Sequence, residues 1–349
     1  MRILGIESSC DETAAAVVED GRVLLSNVIQ SQIDIHAQYG GVVPEIAARS
    51  HLEVVLPVIQ KALDDSHSTW DDIDAIAVTY APGLVGSLLI GTLTARTLAI
   101  LKNKPFVPVH HVEGHVYANF LLDSPPPFPC LALIVSGGHS QLVLFRDHGD
   151  YELIGQTQDD AVGEAFDKVA KIIGLPYPGG PSIARAAESG DSHAYEFPKA
   201  RMPKPYDFSF SGLKTAVLRA AQREIGVDHT FPSHELAARL DESKRNDFAA
   251  SFQRTAVETL IEKTLKAFHY YSPASVVIAG GVAANQELRR QLSEALPIPI
   301  EYAPMNLCTD NAAMIACLGY YMHRAHLDTN PRHLETIPSL SMTKTSWKH

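Results

Sequence analysis

Two histidines four residues apart, His111 and His115, lie in the segment 110–115, which reads HHVEGH. Imidazole is the commonest metal-binding side chain in proteins. If the segment is helical, this spacing places both rings on one helix face, close enough to share one cation. Zinc proteases need a glutamate directly after the first histidine of His-Glu-x-x-His, but Glu113 stands two residues after His111. The pattern therefore indicates either a metal site of another kind or two surface histidines at the start of a helix.

The apolar segment 106–109 directly before these histidines predicts a short strand. Ligands of α/β proteins bind at the carboxyl ends of such strands. Another predicted strand, 2–7, leads into the polar turn 8–13, whose acidic groups could hold a metal-bound phosphate or simply belong to a solvated hairpin. A second turn, 136–140, contains paired glycines whose backbone N–H groups can bind an anion. Three polar groups are thus predicted next to strand ends.

Apolar periodicity and turn residues predict strands alternating with helices along the chain. Strands are predicted at 2–7, 14–18, 23–29, 73–80, 106–109, 131–135, 141–145 and 274–279. Helices are predicted at 44–63, 85–101, 162–173 and 236–270, then from about 285 to 296 and from about 309 to 324, with loops at 31–43 and 176–181. Each half of the chain contains a hairpin and, later, a strand, a glycine turn and a helix. Either two related α/β halves around a cleft or two unrelated α/β domains would explain this weak repeat.

Composition limits the class of protein. The 349 residues suffice for two domains with their own cores, and 46% of them are apolar. We expect no membrane span, since no apolar run reaches the ~18 residues required, and no signal peptide at the N-terminus. The four cysteines form no C-x-x-C pair, which argues against a zinc knuckle or a redox motif and favours a reducing cytoplasm.

The Pro-rich segment 124–129 is the clearest linker and predicts a domain boundary. We expect a first domain over residues 1–123, completed by the helix near 310–326, and a second domain over residues 130–309. Residues 327–349 are expected to form a polar C-terminal tail.

Taken together, seven motifs closely resemble the TsaD family of tRNA N6-adenosine threonylcarbamoyltransferases, once described as O-sialoglycoprotein endopeptidases. They lie at 5–13, 41–45, 110–115, 136–140, 163–168, 280–285 and 308–311. The resemblance covers residues 1 to about 326 in order, and Val112 is a small departure, because the family often has methionine there. It implies the α/β fold of the actin, Hsp70 and sugar-kinase (ASKHA) superfamily, with two related RNase H-like domains around a central cleft.

The resemblance also implies a metal site. His111, His115 and Asp310 would bind one metal per chain, usually iron(II), with zinc as the alternative. Two histidines and a carboxylate with open positions also suit iron chemically. Asp310 could instead, or in addition, be the N-cap of the following helix.

Substrate contacts follow from the same resemblance. Five residues at the end of the predicted strand 131–135 and in the following turn would contact the phosphate and carbamoyl part of the substrate: Ile134, Val135, Ser136, Gly137 and Gly138. Asp167, Gly180 and Asn285 would hold the adenosine end. The alternatives are a surface carboxylate paired with Lys168 or Lys171 for Asp167, and a plain turn glycine for Gly180. The Gly137 and Gly138 amides could stabilise an oxyanion, and the general base would be Glu12 or a water.

The reaction implied is transfer of threonylcarbamoyl from threonylcarbamoyl-AMP to the N6 amine of adenosine 37, in tRNAs reading codons that begin with adenine. Implied partners are tRNA, a TsaB-like pseudo-paralogue, a TsaE-like ATPase and a TsaC-type synthase that supplies the adenylate. A metal-dependent glycoprotein endopeptidase is one alternative. An ASKHA-type ATPase or kinase is another, although a kinase would need a catalytic aspartate on the second hairpin, where His139 stands.

The net charge of −11 means that tRNA binding requires a local basic surface. Between 199 and 223 there is one acid, Asp207, and six basic residues: Lys199, Arg201, Lys204, Lys214, Arg219 and Arg223. The interleaved aromatics Tyr206, Phe208 and Phe210 would suit unstacked bases. We expect Lys199, Arg201 and Lys204 to contact tRNA; the alternative is a solvated loop with its aromatics in the core.

Overall fold

The computed structural model describes residues 1–300, 302–345 and 347 of the chain. They fall into two compact units. The first contains Met1–Phe128, Phe145–Glu152 and Glu301–His349, and the second contains Pro129–Leu144 and Leu153–Ile300.

The described residues form strands and helices that are numbered here in chain order. The strands are β1 (Arg2–Glu7), β2 (Glu12–Glu19), β3 (Val23–Ser31), β4 (Ala75–Ala81), β5 (Phe106–His110), β6 (Cys130–Val135), β7 (Ser140–Asp147), β8 (Asp150–Gln156) and β9 (Ser275–Ala279). The helices are α1 (Ile33–Ala37), α2 (Pro44–Asp65), α3 (Val85–Lys102), α4 (His111–Tyr117), α5 (Val162–Ile173), α6 (Gly179–Ala187), α7 (Ser211–Glu224), α8 (Ser233–Leu236), α9 (Glu242–Tyr271), α10 (Gln286–Ala295), α11 (Met305–Cys308) and α12 (Ala312–Arg324).

The first unit is built on a sheet of strand order β3-β2-β1-β4-β5. The first three strands form an antiparallel meander, whereas β4 and β5 run parallel to β1. The apolar run of β4 is buried throughout, as expected for a strand covered on both faces. Helices α2 and α12 pack on this sheet.

Small residues allow α12 to lie very close to the sheet. A Cβ at Gly5 would stand 2.3 Å from the carbonyl oxygen of Ala312, and one at Gly319 would stand 2.4 Å from Cβ of Ala77. Glycine is therefore required at both positions for this packing distance. The contact matters for the site because α12 begins two residues after Asp310.

The second sheet has the strand order β8-β7-β6-β9, in which β6 and β9 are parallel. The long helix α9 packs against α6 and α10, and α5 packs against α6 and α7. Asp241 caps α9 by accepting a hydrogen bond from the backbone N–H of Lys244.

The structure differs from the sequence predictions in specific segments. Residues 33–37 and 179–181 are helical where loops were predicted, α6 continues to Ala187, and β8 was not predicted. In α6 the glycines and Pro181 occupy the first turn, where backbone N–H groups have no partner within the helix and proline is tolerated.

Candidate active site

The two predicted histidine ligands lie together at the end of β5. His110 is the last residue of that strand and His111 is the first residue of α4. The ring centroids of His111 and His115 are 4.6 Å apart. Oδ1 of Asp310 lies 3.6 Å from Nε2 of His111 and 3.3 Å from Nε2 of His115. One ligand atom from each residue thus lies within 4.8 Å of the other two, which is compact enough for one metal ion.

The packing of α4 against α12 brings these residues together. Gly114, between the two histidines, faces Ile315, whose Cδ1 would be 2.9 Å from an added Cβ. The side chain of Asn311, not that of Asp310, caps α12 by accepting from the N–H of Met314. The alternative role of Asp310 as the N-cap is therefore wrong.

Glu7, at the end of β1, orients His111. Its fully buried carboxylate accepts hydrogen bonds from the Thr79 hydroxyl and the Ser9 backbone N–H. Oε2 of Glu7 lies 3.0 Å from Nδ1 of His111. A hydrogen bond at Nδ1 leaves Nε2 directed toward Asp310, the usual arrangement for a metal-binding histidine. No sequence pattern predicted that Glu7 contacts His111.

Glu7 and His111 each shift the pKa of the other. Burial lowers the pKa of His111, but Glu7 and Asp310 outweigh it and raise the pKa to about 9. Burial raises the pKa of Glu7, but His111 outweighs that effect, so the pKa of Glu7 lies below its usual value. Without a metal, His111 is therefore protonated at neutral pH, and its positive charge lies between the carboxylates of Glu7 and Asp310.

The residues present fit a metal. His115 is 1% exposed, and neither of its ring nitrogens forms a hydrogen bond among the described residues, although Nε2 lies 3.3 Å from Oδ1 of Asp310. A buried imidazole without such partners is costly, and a metal on Nε2 would remove part of that cost. Two imidazoles and one carboxylate suit iron(II) or zinc.

Glu12, the expected general base, begins β2 in the same unit. Burial and the neighbouring Asp11 raise its pKa to about 8. The Ser31 hydroxyl donates to Oε1 at 2.9 Å, and Oε2 is buried with no hydrogen-bond partner in the described part of the chain. When it is ionised, a carboxylate with a raised pKa is a stronger base than an ordinary carboxylate.

A buried histidine that the sequence did not single out holds this acidic turn. Nε2 of His51 donates to the carbonyl oxygen of Cys10 at 2.9 Å. The Thr13 hydroxyl then donates to Nδ1 at 2.7 Å. Burial lowers the pKa of His51, so it stays neutral, as both bonds require. No motif spacing signals this role, because His51 lies 41 residues from Cys10.

In the second unit, the paired glycines lie in the turn between β6 and β7. Gly137 and Gly138 are exposed, and nothing described lies within 4 Å of an added Cβ at either. The turn is bounded by the start of α5 and the turn after β9. An added Cβ at Gly163 would be 2.6 Å from the Ser136 carbonyl oxygen, and one at Gly280 would be 2.5 Å from that of Val135. Ile134 and Val135, the last residues of β6, are fully buried.

Of the residues expected to hold an adenosine, Gly180 and Asn285 lie at helix starts and Asp167 lies within α5. Oδ1 of Asp167 accepts from the N–H of Gly179 at 2.7 Å, next to Gly180 at the beginning of α6. Lys168 pairs with Asp160 and Glu164. Asn285 caps α10, and its side-chain amide donates to Oε1 of Gln253 at 2.9 Å.

A sequence profile of the family described as "TsaD: tRNA N6-adenosine threonylcarbamoyltransferase" matches residues 23–317. The chain belongs to this family of tRNA-modifying acyltransferases. A family protein from Symbiobacterium thermophilum is 52% identical over 346 residues, covering 97% of this chain and 96% of the relative. One from Thermomicrobium roseum is 51% identical over 345 residues and covers 94% of each chain.

Solved structures confirm the predicted fold class. Component A of (R)-2-hydroxyglutaryl-CoA dehydratase from Acidaminococcus fermentans aligns with a TM-score of 0.51 at 15% identity, covering 93% of this chain and 99% of that one. At that identity the likeness concerns the fold alone. Together with the two sheets and their covering helices, it confirms the predicted α/β fold class.

The basic segment 199–223 was predicted to contact tRNA through its cations and its aromatic rings. The prediction for the aromatic rings is wrong. Phe208 and Phe210 are fully buried and Tyr206 is 9% exposed, so these rings belong to the core and do not offer a stacking surface. Nζ of Lys199 pairs with Glu258 at 2.8 Å. Arg201 and Lys204 are exposed.

Helix α3 departs from the expectation that no segment is apolar enough to span a membrane. By length and composition it qualifies, and 33% of its apolar window is buried. A single such helix is weak evidence for a membrane span, since core helices of soluble proteins meet the same criterion. Several of its apolar side chains are exposed, among them Val85, Leu89 and Leu93.

Proposed function

We propose that this chain transfers the threonylcarbamoyl group from threonylcarbamoyl-AMP to the N6 amine of adenosine 37, in tRNAs that read codons beginning with adenine. The observation that carries the proposal is the convergence of His111, His115 and Asp310 in a chain of this family. These three residues would hold one metal ion, iron(II) or zinc. Such an ion supplies Lewis-acid stabilisation of oxyanion charge.

The amine is itself a nucleophile, so the reaction needs no serine or cysteine nucleophile. The N6 nitrogen forms a bond to the carbamoyl carbon, the bond from that carbon to the phosphate oxygen breaks, and AMP leaves. Glu12 takes the proton that the amine loses. Its raised pKa of about 8 makes it a stronger base than an ordinary carboxylate.

The second unit binds the adenylate in this proposal. The N–H groups of Gly137 and Gly138, with the Ser136 side chain, contact the phosphate and carbamoyl oxygens, next to Ile134 and Val135. Asp167, Gly180 and Asn285 hold the adenosine end. Support comes from the exposed glycine turn at the end of β6 and from the packing of the α5 start against it.

The partners follow from the family and from the exposed apolar residues of α2 and α3. We propose that Leu52, Leu56, Leu89 and their neighbours pack against a TsaB-like protein rather than a membrane, since 40–67% of each of these side chains is exposed. A TsaE-like ATPase and a TsaC-type synthase complete the system. The four free cysteines are consistent with a cytoplasmic location.

Mass analysis of tRNA nucleosides tests the function. The chain, its partner proteins and threonylcarbamoyl-AMP are incubated with unmodified tRNA, and threonylcarbamoyladenosine is quantified. A matched tRNA with guanosine at position 37 should give no product. Cleavage of a glycoprotein, or ATP-dependent phosphorylation of a small molecule, without any modified nucleoside would instead favour the endopeptidase or the kinase.

A further inference from the structure

The C-terminal segment 337–345 is polar in composition, yet it is fixed to the first unit by main-chain hydrogen bonds. The N–H of Ile337 donates to the carbonyl oxygen of Tyr80 at 3.0 Å. The N–H of Gly83 donates to the carbonyl oxygen of Pro338 at 3.1 Å. The segment therefore lies along the carboxyl end of β4 rather than extending into solvent.

The same segment contacts the residue that precedes the first metal ligand. Nε2 of His110 lies 3.0 Å from the carbonyl oxygen of Leu340, to which it donates. His110 is 2% exposed and ends β5. This bond fixes the point at which the strand passes into the metal-binding helix α4.

Tyr151 connects the segment to the interior of α4. Its hydroxyl lies 2.9 Å from the carbonyl oxygen of Met342, 2.7 Å from Oγ1 of Thr345 and 3.3 Å from Oε2 of Glu113. Met342, Thr345 and Glu113 are each 1% exposed. Glu113 stands between the two histidine ligands, so one buried hydroxyl joins the C-terminal segment to the helix that carries them.

The turn between β7 and β8, residues 148–149, is held by two further contacts. Gly149 has a positive φ of 75°, and the indole ring of Trp347 occupies the space that a side chain would fill, with Cε3 2.2 Å from an added Cβ. Nδ1 of His148 lies 3.0 Å from the hydroxyl of Tyr117, the last residue of α4. His148 and Gly149 are therefore held between α4 and Trp347, two residues beyond the C-terminal segment.

We propose that the C-terminal segment 337–345 is a positioning element for the metal site. By binding Tyr80, His110 and Tyr151, it holds α4 in the orientation that presents both histidines to Asp310. The inference rests on the proposed metal site. Because coupling of two binding events is reciprocal, metal binding must then also stabilise the docked segment.

Hydrogen exchange of the full-length protein tests this reciprocity. The metal-free chain is compared with the chain saturated with Zn²⁺, used alone as the probe. Coupling predicts that Zn²⁺ slows amide exchange in 337–345 by roughly threefold or more, while exchange in β9 of the second unit stays unchanged. A segment with a purely structural role would exchange at the same rate with and without Zn²⁺.

Tyr151→Phe gives an independent measure, because it removes only the hydroxyl. Zn²⁺ affinity, measured by competition with a chromogenic chelator, should fall roughly three- to tenfold, as expected for one buried hydrogen-bonding group. Tyr270→Phe, at an exposed tyrosine of the second unit, should bind Zn²⁺ like the unaltered chain.

The outcomes separate the two proposals. Tight Zn²⁺ binding with metal-independent exchange in 337–345, or with unchanged affinity in Tyr151→Phe, overturns the positioning role alone. Failure of the unaltered chain to bind Zn²⁺ or Fe²⁺ overturns both the positioning role and the metal site.

Discussion

At the scale of single residues, the contact between Glu7 and His111 determines which imidazole nitrogen faces Asp310. The two residues are 104 positions apart, and only the pairing of β1 with β4 and of β4 with β5 brings them together. Helical spacing predicted that His111 and His115 share a face. It carried no information on the buried carboxylate behind them, because that contact depends on strand order.

Removing any one of the three ligands should weaken metal binding by more than the ~10–100-fold loss typical of supporting residues. We expect His111→Ala, His115→Ala and Asp310→Ala each to lose Zn²⁺ in competition titrations. Glu7→Gln should weaken Zn²⁺ binding by ~10–100-fold, because it changes only the orientation and basicity of His111. His193→Ala, at an exposed histidine of the second unit, serves as the control. Full metal content in all three alanine variants would contradict the assignment.

The raised pKa of Glu12 predicts a pH-dependent transfer rate. The base must be ionised, and with a pKa of about 8 only a minority of molecules carry the charged form at pH 7. The kcat/KM for tRNA, with adenylate supplied directly, should rise tenfold per pH unit at low pH and level off above about pH 8. In Glu12→Gln this pH dependence should disappear, and the transfer rate should fall roughly 10²–10⁴-fold. A flat profile between pH 6 and 9 in the unaltered enzyme would exclude Glu12 as the base.

At the scale of elements, the close approach of α12 to β1 sets the position of Asp310. Gly5→Ala would place a Cβ 2.3 Å from the Ala312 carbonyl oxygen and 2.7 Å from the Ala316 nitrogen, both backbone atoms, so α12 must shift. We expect the free energy of unfolding to fall by ~1–3 kcal/mol and Zn²⁺ affinity to fall with it.

The matched control is Gly212→Ala on α7, where nothing described lies within 4 Å of the new Cβ. Its free energy of unfolding should stay equal or rise slightly, since alanine favours a helix over glycine. Both values come from urea denaturation of the metal-free chains. If the two alanine variants unfold alike, the position of α12 does not depend on Gly5.

The exposed apolar residues of α2 and α3 predict a protein contact. Gly86 allows α3 to approach Ala48 of α2 closely, with an added Cβ 2.8 Å from Cβ of Ala48. Leu52→Asp with Leu89→Asp should abolish co-purification with the TsaB-like partner, because each carboxylate would be buried in an apolar interface. Tyr270→Asp, at an exposed site of the second unit, should not change it. If the double variant still co-purifies with the partner, the exposed apolar residues of α2 and α3 do not form the interface.

Periodicity and turn residues predicted most strands and long helices because those segments have a buried, apolar face. They failed where glycine and proline occupy the first turn of a helix, as in α6, and where polar residues are fixed by backbone contacts, as in the C-terminal segment. Hydrogen bonds such as that of Ile337 to Tyr80 use the main chain. Side-chain composition therefore does not reveal them.

At the scale of the whole molecule, a chain of net charge −11 must bind an acidic polymer through a small basic area. Within the predicted segment, the aromatic rings are buried and do not offer a stacking surface, and Lys199 already pairs with Glu258. Of Lys199, Arg201 and Lys204, the three cations expected to contact tRNA, Arg201 and Lys204 are exposed and form no ion pair among the described residues. Phosphate contacts without base stacking would make this part of the interaction independent of sequence.

Charge reversal of Lys199, Arg201 and Lys204 to glutamate should weaken tRNA binding and flatten its salt dependence. Each lost phosphate contact lowers the slope of log affinity against log salt by ~0.7–0.9. We expect Arg201→Glu and Lys204→Glu to account for most of the change, and Lys199→Glu for less. The control triple variant reverses Lys61, Lys102 and Lys104 in the first unit, with the same change in net charge. If both triple variants lose affinity equally, overall repulsion explains the loss and segment 199–204 does not contact tRNA.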